Sequence, residues 1–268
     1  MMRLKIFSLL QPRNMRFINE KLKKKRFKYK KVLFFTFAII LTGACPIIFT
    51  QATLQPTMAW EQTYGGSGSD IANSMIQTTD GDFVLAGYTT SPEFGGESQD
   101  AWLIKVNSKG GGLWSRRFGG PDNDRVEAVI QTAEGGFAIA GSSVISYGEQ
   151  GELGRSADAW LLKSNENGYG VWSQTYGRFL IFGQKDDAAY SLIQTPDGGF
   201  VLVGYTGCYG AGKKDMWLIK TDSNGNPQWN QTYGGTEDDI AYAIIQTTGG
   251  GFIIAGSTTS YGAGKSDI

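Results

Sequence analysis

The sequence predicts an all-β protein of β-propeller-type repeats, with about three and a half four-stranded blades after an N-terminal hydrophobic helix. Two observations lead to this fold class. The phrase Asp-Gly-Asp-Phe-Val-Leu-Ala-Gly-Tyr-Thr at residues 80–89 returns in similar form from Glu134, Pro196 and Gly249. The chain also combines 38 glycines and 13% aromatic residues with no histidine. Such a composition, without a collagen-like period, is typical of turn-rich β-proteins.

The repeated unit is much longer than this phrase. An Ile-Gln-Thr triplet recurs at residues 76–78, 130–132, 193–195 and 245–247. Four units start near Trp60, Trp114, Trp172 and Trp229, at steps of 54, 58 and 57 residues. This period indicates a propeller blade or a similar array.

Each unit contains four short runs that we interpret as strands. In the first unit they are Ile71–Thr78, Phe83–Thr89, Ala101–Asn107 and Gly112–Phe118. Runs of six to eight residues between Gly, Asp and Asn are typical of strands joined by tight turns. Runs such as Phe-Val-Leu-Val-Gly are apolar at nearly every position, which predicts that neighbouring units cover both faces of the sheet. The seven tryptophans all fall at repeat positions, and we interpret them as packing between blades rather than as cofactor contacts.

The last unit ends at Asp267-Ile268, where the other units continue into a third strand. We therefore expect three complete blades and half of a fourth, in an open or truncated propeller. Such an arc leaves unpaired strand edges, which favour association.

The motif series Ile-Gln-Thr, Asp-Gly-Gly-Phe, Ala-Gly-Tyr-Thr, Asp-Ala-Trp-Leu-Ile-Lys and Trp-x-x-Thr-Tyr-Gly-Gly resembles the β-propeller repeats of secreted archaeal and bacterial surface proteins. The resemblance covers residues 60–268. It implies a propeller fold and a location outside the cell, and it implies no defined reaction. The tryptophan-docking pattern of the quinoprotein propellers, a more distant comparison, is not found in this sequence.

The residues before the repeats divide into three segments. Residues 1–31 carry twelve Lys or Arg and one acidic residue, residues 32–50 carry no charge, and residues 51–59 form a linker. A basic segment followed by an apolar run of this length is either a cleaved signal peptide or a transmembrane anchor. In both cases the remainder of the chain is predicted to be extracytoplasmic, either membrane-anchored through residues 32–50 or secreted.

Charge and residue types exclude several functions. Residues 32–268 carry thirteen basic and twenty-four acidic residues, a net charge of minus eleven, which argues against nucleic-acid binding. The absence of histidine excludes His-based triads and His-ligated metals. Cys45 and Cys208 are the only cysteines, so no disulfide framework is available. We therefore expect no enzymatic activity, no cofactor and no metal site.

The connections between strands indicate where a ligand would bind. The 1–2 and 3–4 turns are short and nearly constant, whereas the extra residues at 144–157 and 177–187 fall in a 2–3 loop and a 4–1 loop. These two kinds of connection share one face of a blade array, and variable loops on a constant scaffold commonly carry binding sites.

Two sets of residues are expected on that variable face. The members of the acidic set each lie seven residues before the Gln of an Ile-Gln-Thr triplet: Asp70, Asp124, Asp187 and Asp239. The aromatic set lies in the 2–3 loops: Phe94, Tyr147, Tyr209 and Tyr261. The acidic side chains can cap turns or contact a cation or a sugar. The aromatic rings can pack within their loops or stack against a ligand.

These observations favour a non-enzymatic binding or adhesion propeller outside the cytoplasm, a fragment of a longer repeat protein, with a glycan or a surface protein as its partner. One alternative is a carbohydrate-active enzyme with paired carboxylates, or a quinoprotein-like propeller. Another is a structural spacer of the cell envelope.

Overall fold

The computed structural model describes residues 6–9 and 58–268, except for 95–97, 148–153, 179–184 and 263–265. By its contacts the chain divides into one unit that contains all the blades, Met1–Phe7 with Trp60–Ile268, and a second unit, Ser8–Ala59. The predicted hydrophobic segment, residues 32–50, lies outside the described residues. Within the described part of the chain, no helix has the length and apolar character needed to cross a bilayer.

The described residues form sixteen strands and one short 3₁₀ turn at Pro92–Phe94. Two short strands come first, β1 (Ile6–Leu9) and β2 (Met58–Gln62). The strands of blade 1 are β3 (Asp70–Gln77), β4 (Phe83–Thr89), β5 (Asp100–Val106) and β6 (Gly112–Phe118). The strands of blade 2 are β7 (Asp124–Gln131), β8 (Phe137–Tyr147), β9 (Gly154–Ser164) and β10 (Gly170–Tyr176). The strands of blade 3 are β11 (Asp187–Gln194), β12 (Phe200–Thr206), β13 (Asp215–Thr221) and β14 (Pro227–Tyr233). The half-blade consists of β15 (Asp239–Gln246) and β16 (Phe252–Thr258).

Each complete blade is an antiparallel sheet whose strands follow one another in chain order. Consecutive first strands contact one another, β3 with β7, β7 with β11 and β11 with β15, so they lie innermost. The fourth strands are the most exposed and lie at the outside. The predicted all-β architecture of blade-like four-stranded repeats is therefore confirmed, and the four predicted strands of the first unit differ from the observed ones by at most one residue at each end.

Steric crowding explains why the repeated Ala-Gly-Tyr-Thr phrase has a glycine at its second position. Each first strand carries a bulge near its third residue, as between Ala72 and Ser74. The bulge moves a carbonyl oxygen of the first strand towards the second strand, so that a Cβ on Gly87 would lie 1.9 Å from Ile71 O. The equivalent glycines, Gly141, Gly204 and Gly256, would place a Cβ 1.9, 1.9 and 2.1 Å from a carbonyl oxygen. Only glycine fits opposite this bulge.

Successive blades stack through their apolar faces. The face of blade 2 formed by Ala138, Ala140 and Leu161 packs against Phe200 and Trp217 of blade 3, and all five are at most 5% exposed. Equivalent clusters join blade 1 to blade 2 and blade 3 to the half-blade. The nearly continuous apolar runs thus reflect burial of both faces of each middle strand, as the sequence predicted.

The half-blade has one covered and one uncovered face. Ala241 and Ile244 pack against blade 3, whereas Ile245 and Ile253 are 59% and 57% exposed. At the end of the chain Asp267 pairs with Thr258. The equivalent residues of blade 3, Asp215 and Thr206, pair in the same way. The expected three blades and half of a fourth are therefore present.

The 2–3 connection of blade 2 differs from its sequence-based interpretation. Residues 144–157 were expected to form an expanded loop. Instead β8 and β9 continue as a paired hairpin, with Ile145 opposite Ser156 and Tyr147 opposite Gly154. Val144, Ile145 and Tyr147 are β-branched or aromatic residues, which favour strand pairing.

A matched pair of substitutions tests the packing between blades. Val201 and Ile253 occupy the same repeat position, but Val201 is fully buried and Ile253 is 57% exposed. Val201→Ala removes two buried carbon groups at ~0.8 kcal/mol each and leaves a cavity, so we expect a loss of about 2 kcal/mol in the free energy of unfolding. Ile253→Ala should change it by less than ~0.5 kcal/mol. Urea titrations of both variants measure the difference, and equal losses would contradict the stacking of blades.

Candidate functional site

The two ends of each blade carry different connections. In blade 3, Asp187, Thr206 and Asp215 pair in register at one end, whereas Gln194, Phe200 and Thr221 pair at the other. We call the first end the loop face, because the 2–3 and 4–1 connections lie there, and the second the turn face. The predicted acidic residues all lie on the loop face, as does the backbone of Tyr147 at the end of β8.

On the turn face, each complete blade has an ion pair between its third strand and its 1–2 turn. A lysine of the third strand reaches an acidic residue of the 1–2 turn, as in Lys105–Asp80 at 2.6 Å and Lys220–Asp197 at 2.9 Å. The hydrogen bonds from Lys105 and Thr78 lower the pKa of Asp80 to about 2. Asp222 Oδ1 of the 3–4 turn in blade 3 accepts hydrogen bonds from the backbone N–H groups of Asn224 and Asn226, which hold the hairpin turn.

The predicted acidic set is buried. Asp70, Asp124, Asp187 and Asp239 are between 0% and 4% exposed. Each accepts a backbone N–H from a nearby glycine; in the case of Asp124 the donor is Gly120 at 2.8 Å. Asp70, Asp124 and Asp239 therefore hold the segment that leads into their own first strand, whereas Asp187 holds the start of the 2–3 connection of blade 3. Whether any of them also contacts a ligand stays a prediction.

The glycine that ends each fourth strand lies against these carboxylates. A Cβ on Gly119 would lie 2.4 Å from Asp124 Oδ2 and 2.9 Å from Asp100 Oδ1, and the residue has a φ of 142°. Gly65 and Gly234 meet the carboxylates of their own junctions in the same way. A buried carboxylate lies so close to this position that a Cβ does not fit. This explains why a glycine follows the aromatic residue at the end of each fourth strand.

The junction between blades 1 and 2 is also unusual in its electrostatics. Arg117 Nη1 lies 2.7 Å from Asp100 Oδ2 in an ion pair. Burial raises the pKa of Asp124, and the charges of Asp100 and Asp122 raise it further. Hydrogen bonds from Ser143 and Gly120 act in the opposite direction. One oxygen of Asp124 accepts no further hydrogen bond of good geometry from the described residues, which is also true of one oxygen each of Asp187 and Asp239 at the equivalent positions.

Three members of the predicted aromatic set are placed by the structure. Phe94 and Tyr209 pack against the third-strand tryptophans of their own blades, Trp102 and Trp217, with ring centroids 5.0 and 5.4 Å apart. Tyr209 Oη donates to Gly177 O at 3.4 Å, and Tyr261 Oη donates to Gly234 O at 3.0 Å. Each ring thus covers the junction at the start of its own blade.

Blade 2 lacks this arrangement in the described residues. Its tryptophan is Trp160, and its aromatic residue is Tyr147, whose side chain is not among the described parts of the chain. The paired hairpin carries the backbone of Tyr147 four residues beyond Ser143, about 13 Å along the strand. The loop that brings Tyr209 and Tyr261 back over their junctions is therefore replaced in blade 2 by an extended hairpin.

A cleft of about 430 Å³ lies at this junction. Its volume falls within the range of small-molecule sites. The residues that line it are Arg117, Phe118, Gly119, Gly120, Asp124, Ser143, Trp160, Leu162, Ser173 and Thr175. It combines an aromatic ring, an arginine, a buried carboxylate and several hydroxyl groups. Such a set suits the binding of a ring that carries hydroxyl groups.

Of the residues predicted as a site, only Asp124 lines this cleft. Arg117, Trp160 and Ser173 were not predicted as site residues. Their positions are repeat positions, and in each complete blade the third-strand tryptophan donates its indole N–H to the residue equivalent to Ser173. The unequal length of the 2–3 connections was the one signal in the sequence that pointed to this junction. No cluster of three or more candidate metal ligands occurs in the described part of the chain.

Comparison with known proteins assigns no family. No family model and no curated protein matches the chain. A protein of unknown function from Bacteroides caccae is similar in structure, with 12% identity over 66% of this chain and 72% of that one and a TM-score of 0.27. The periplasmic gluconolactonase PpgL of Pseudomonas aeruginosa is similar with 11% identity over 74% of this chain and a TM-score of 0.40. The chain matches 54% of the gluconolactonase's length. The fold defines a propeller-like all-β protein.

Two adjacent glycines test the geometry of the junction. Gly119→Ala introduces a Cβ that overlaps Asp124 and Asp100 at a left-handed φ, and we expect a loss of ~1–3 kcal/mol in the free energy of unfolding. A Cβ on Gly120 would have no atom within 4 Å, and the residue has no left-handed φ, so Gly120→Ala should be neutral or stabilise by up to ~1 kcal/mol. Denaturant titrations compare the two, and a harmless Gly119→Ala would contradict the close approach of the carboxylates.

The raised pKa of Asp124 predicts a pH dependence. The folded protein holds this proton to a higher pH than the unfolded chain, so the contribution of Asp124 to stability falls as the pH rises above ~4. Relative to Asp124→Asn, the unsubstituted protein should therefore be less stable at pH 7 than at pH 3.5.

Asp222 serves as the control of opposite sign. Hydrogen bonds from Asn226 lower its pKa, so its contribution to stability is present above ~4 and is lost as the pH falls. Relative to Asp222→Asn, the unsubstituted protein should be more stable at pH 7 than at pH 3.5. Thermal unfolding of all three proteins at both pH values measures this, and parallel behaviour of the two variants would contradict the assignment.

Proposed function

We propose that this protein is a non-enzymatic binding or adhesion module that acts outside the cytoplasm, and that its ligand binds in the cleft between blades 1 and 2. The observation that carries the proposal is the cleft itself. It has a volume of about 430 Å³ and is lined by Arg117, Asp124 and the hydroxyl-bearing residues Ser143, Ser173 and Thr175.

Charge and the N-terminal sequence support the location. The basic residues 1–31 and the uncharged residues 32–50 have the order of an export signal or anchor. The strongly acidic remainder suits a ligand with hydroxyl groups or a basic surface better than a polyanion. The partner is accordingly a glycan or another surface protein, and binding of this kind requires no cofactor.

A second candidate function is a carbohydrate-active enzyme with Asp100 and Asp124 as paired carboxylates, since both approach Gly119. Asp100 Oδ2, however, is occupied by its ion pair with Arg117, so this oxygen is not free to contact a substrate. A purely structural spacer is the third candidate. The three differ in whether a ligand is retained and whether it is converted.

The cleft can be blocked by one substitution with a matched control. Gly120→Phe places a large side chain at the wall of the cleft, and no atom lies within 4 Å of the Cβ position from which it extends. Gly112 is equally open but lies at the turn face, so Gly112→Phe is the control. On glycan and peptide arrays we expect retention of a ligand, at least tenfold weaker for Gly120→Phe and unchanged for Gly112→Phe.

Mass spectrometry of the retained ligand completes the experiment. An unaltered ligand agrees with the proposal. Cleavage of the ligand would favour the enzyme, and no retention on either array would favour the structural spacer. Equal loss of binding in both variants would show that the ligand does not bind in the cleft.

A further inference from the structure

The packing between blades follows one pattern throughout the chain. The first strand of each later blade lies across the first three strands of the blade before it, so that β7 contacts β3, β4 and β5, and β15 contacts β11, β12 and β13. Two apolar residues of each crossing strand enter the core between the blades, and in β7, β11 and β15 all six of them are at most 5% exposed. They are Val126, Val129, Ala189, Leu192, Ala241 and Ile244.

The two ends of the blade series leave both sides of this interface open. The crossing pair of β3 is Ala72 and Met75, and Met75 is 50% exposed. On the half-blade Ile253 is 57% exposed, whereas the residues at its position in the three complete blades are fully buried. One end therefore presents a strand that crosses, and the other presents strands that are crossed. Because Met75 and Ile253 are both exposed, the two ends do not pack against each other within one chain.

The segment before blade 1 makes the contacts of a preceding blade. Tyr64 Oη donates to Gly110 O, in the 3–4 turn of blade 1, at 2.6 Å. In the same way Tyr176 Oη of the fourth strand β10 donates to Gly225 O, in the 3–4 turn of blade 3, at 2.7 Å. Tyr64 therefore has the place of a fourth-strand residue in a blade before blade 1. The half-blade consists of the first two strands of such a blade.

A glutamine of the first strand also joins consecutive blades at the turn face. Gln131 Oε1 accepts a hydrogen bond from Thr79 N of blade 1 at 2.9 Å. Gln194 Oε1 accepts one from Ala133 N of blade 2 at 2.8 Å, while its Nε2 reaches Gly198 O of its own turn at 3.4 Å. The glutamine thus bonds to its own turn and to the turn of the preceding blade.

Blade 1 and the half-blade hold the two halves of this contact. Gln77 Nε2 reaches Gly81 O of its own turn at 3.4 Å, the arrangement found for Gln194. Its Oε1 is therefore oriented to accept from a preceding blade. The residue of the half-blade equivalent to Thr79 is Thr248, which is exposed and has a backbone N–H to donate.

We infer that this protein associates head to tail with a second copy of itself, and that β3 of one copy lies across β15 and β16 of the other. Met75 takes the place that Ile244 has against Val201, the residue equivalent to Ile253. Thr248 N donates to Gln77 Oε1 of the second copy. This contact continues the stacking of blades within the chain, and the inference does not depend on the ligand of the cleft.

The number of blades favours a closed dimer. Each copy has three complete blades and a half-blade, so two copies that make the contact twice occupy eight blade positions. Closed propellers have roughly 4–8 blades. A head-to-tail contact that closes gives a ring, and one that does not close gives a filament.

Size-exclusion chromatography with light scattering tests the association on the whole 268-residue protein in a mild detergent. The protein mass should be about twice the 29.1 kDa of one chain. Met75→Asp and Ile253→Asp each bury a charge in the contact, so each should weaken the association at least about tenfold. Val171→Asp is the control, because Val171 is 60% exposed on the fourth strand β10, outside the contact. Gln77→Ala should weaken the association severalfold, the effect of one hydrogen bond.

Mixing the two variants distinguishes a head-to-tail contact from other dimers. The Met75→Asp copy retains its half-blade surface and the Ile253→Asp copy retains β3. An equimolar mixture should therefore form a mixed dimer through one intact contact, although neither variant associates alone. This recovery also shows that both variants are folded.

Three results would overturn the inference. They are a monomeric unsubstituted protein, association that Met75→Asp and Ile253→Asp retain as fully as Val171→Asp does, and loss of association in Ile253→Asp alone, which would indicate a contact between two half-blades. Larger species that depend on both Met75 and Ile253 would support the contact and overturn the closed ring.

Discussion

Apolar contact between the faces of successive blades is the interaction on which the rest of the structure depends. The middle strands of each blade bury both faces, so residues such as Val201 and Phe200 on adjacent positions are both inaccessible to water. This burial fixes the spacing and orientation of neighbouring sheets. The connections at either end then meet the next blade at a defined distance. Every later feature, from the carboxylate junctions to the cleft, follows from this stacking.

The loop face shows how a repeated junction combines structure with a candidate site. A buried aspartate, a glycine without room for a Cβ and a covering aromatic ring form one arrangement that recurs with small changes. The carboxylate binds the backbone near the start of a blade, so folding constrains this position to aspartate. The covering ring is attached through a loop, and loops tolerate insertions better than strands do. The longer 2–3 connection of blade 2 therefore leaves the buried aspartate of its junction in place.

The cleft between blades 1 and 2 is lined by residues whose positions are already set by packing. Trp160 is 4% exposed, belongs to the cluster that joins blade 1 to blade 2, and donates its indole N–H to Ser173. A ligand of the kind proposed would therefore meet a pre-organised surface, and little conformational entropy would be lost in forming the site.

The sequence alone determined the repeat length, the four strands of each blade, the turns and the burial of both faces, because these depend on local patterns that recur four times. It also placed Asp124 on the variable face. The tertiary structure decided the rest. Burial of the aspartates follows from contact between blades, which no single repeat specifies. The pairing of residues 144–147 with 154–157 depends on cross-strand hydrogen bonds, although the segment had been predicted to form a loop. The cleft exists only where those two effects meet, at the junction of one blade's last strand with the next blade's extended hairpin.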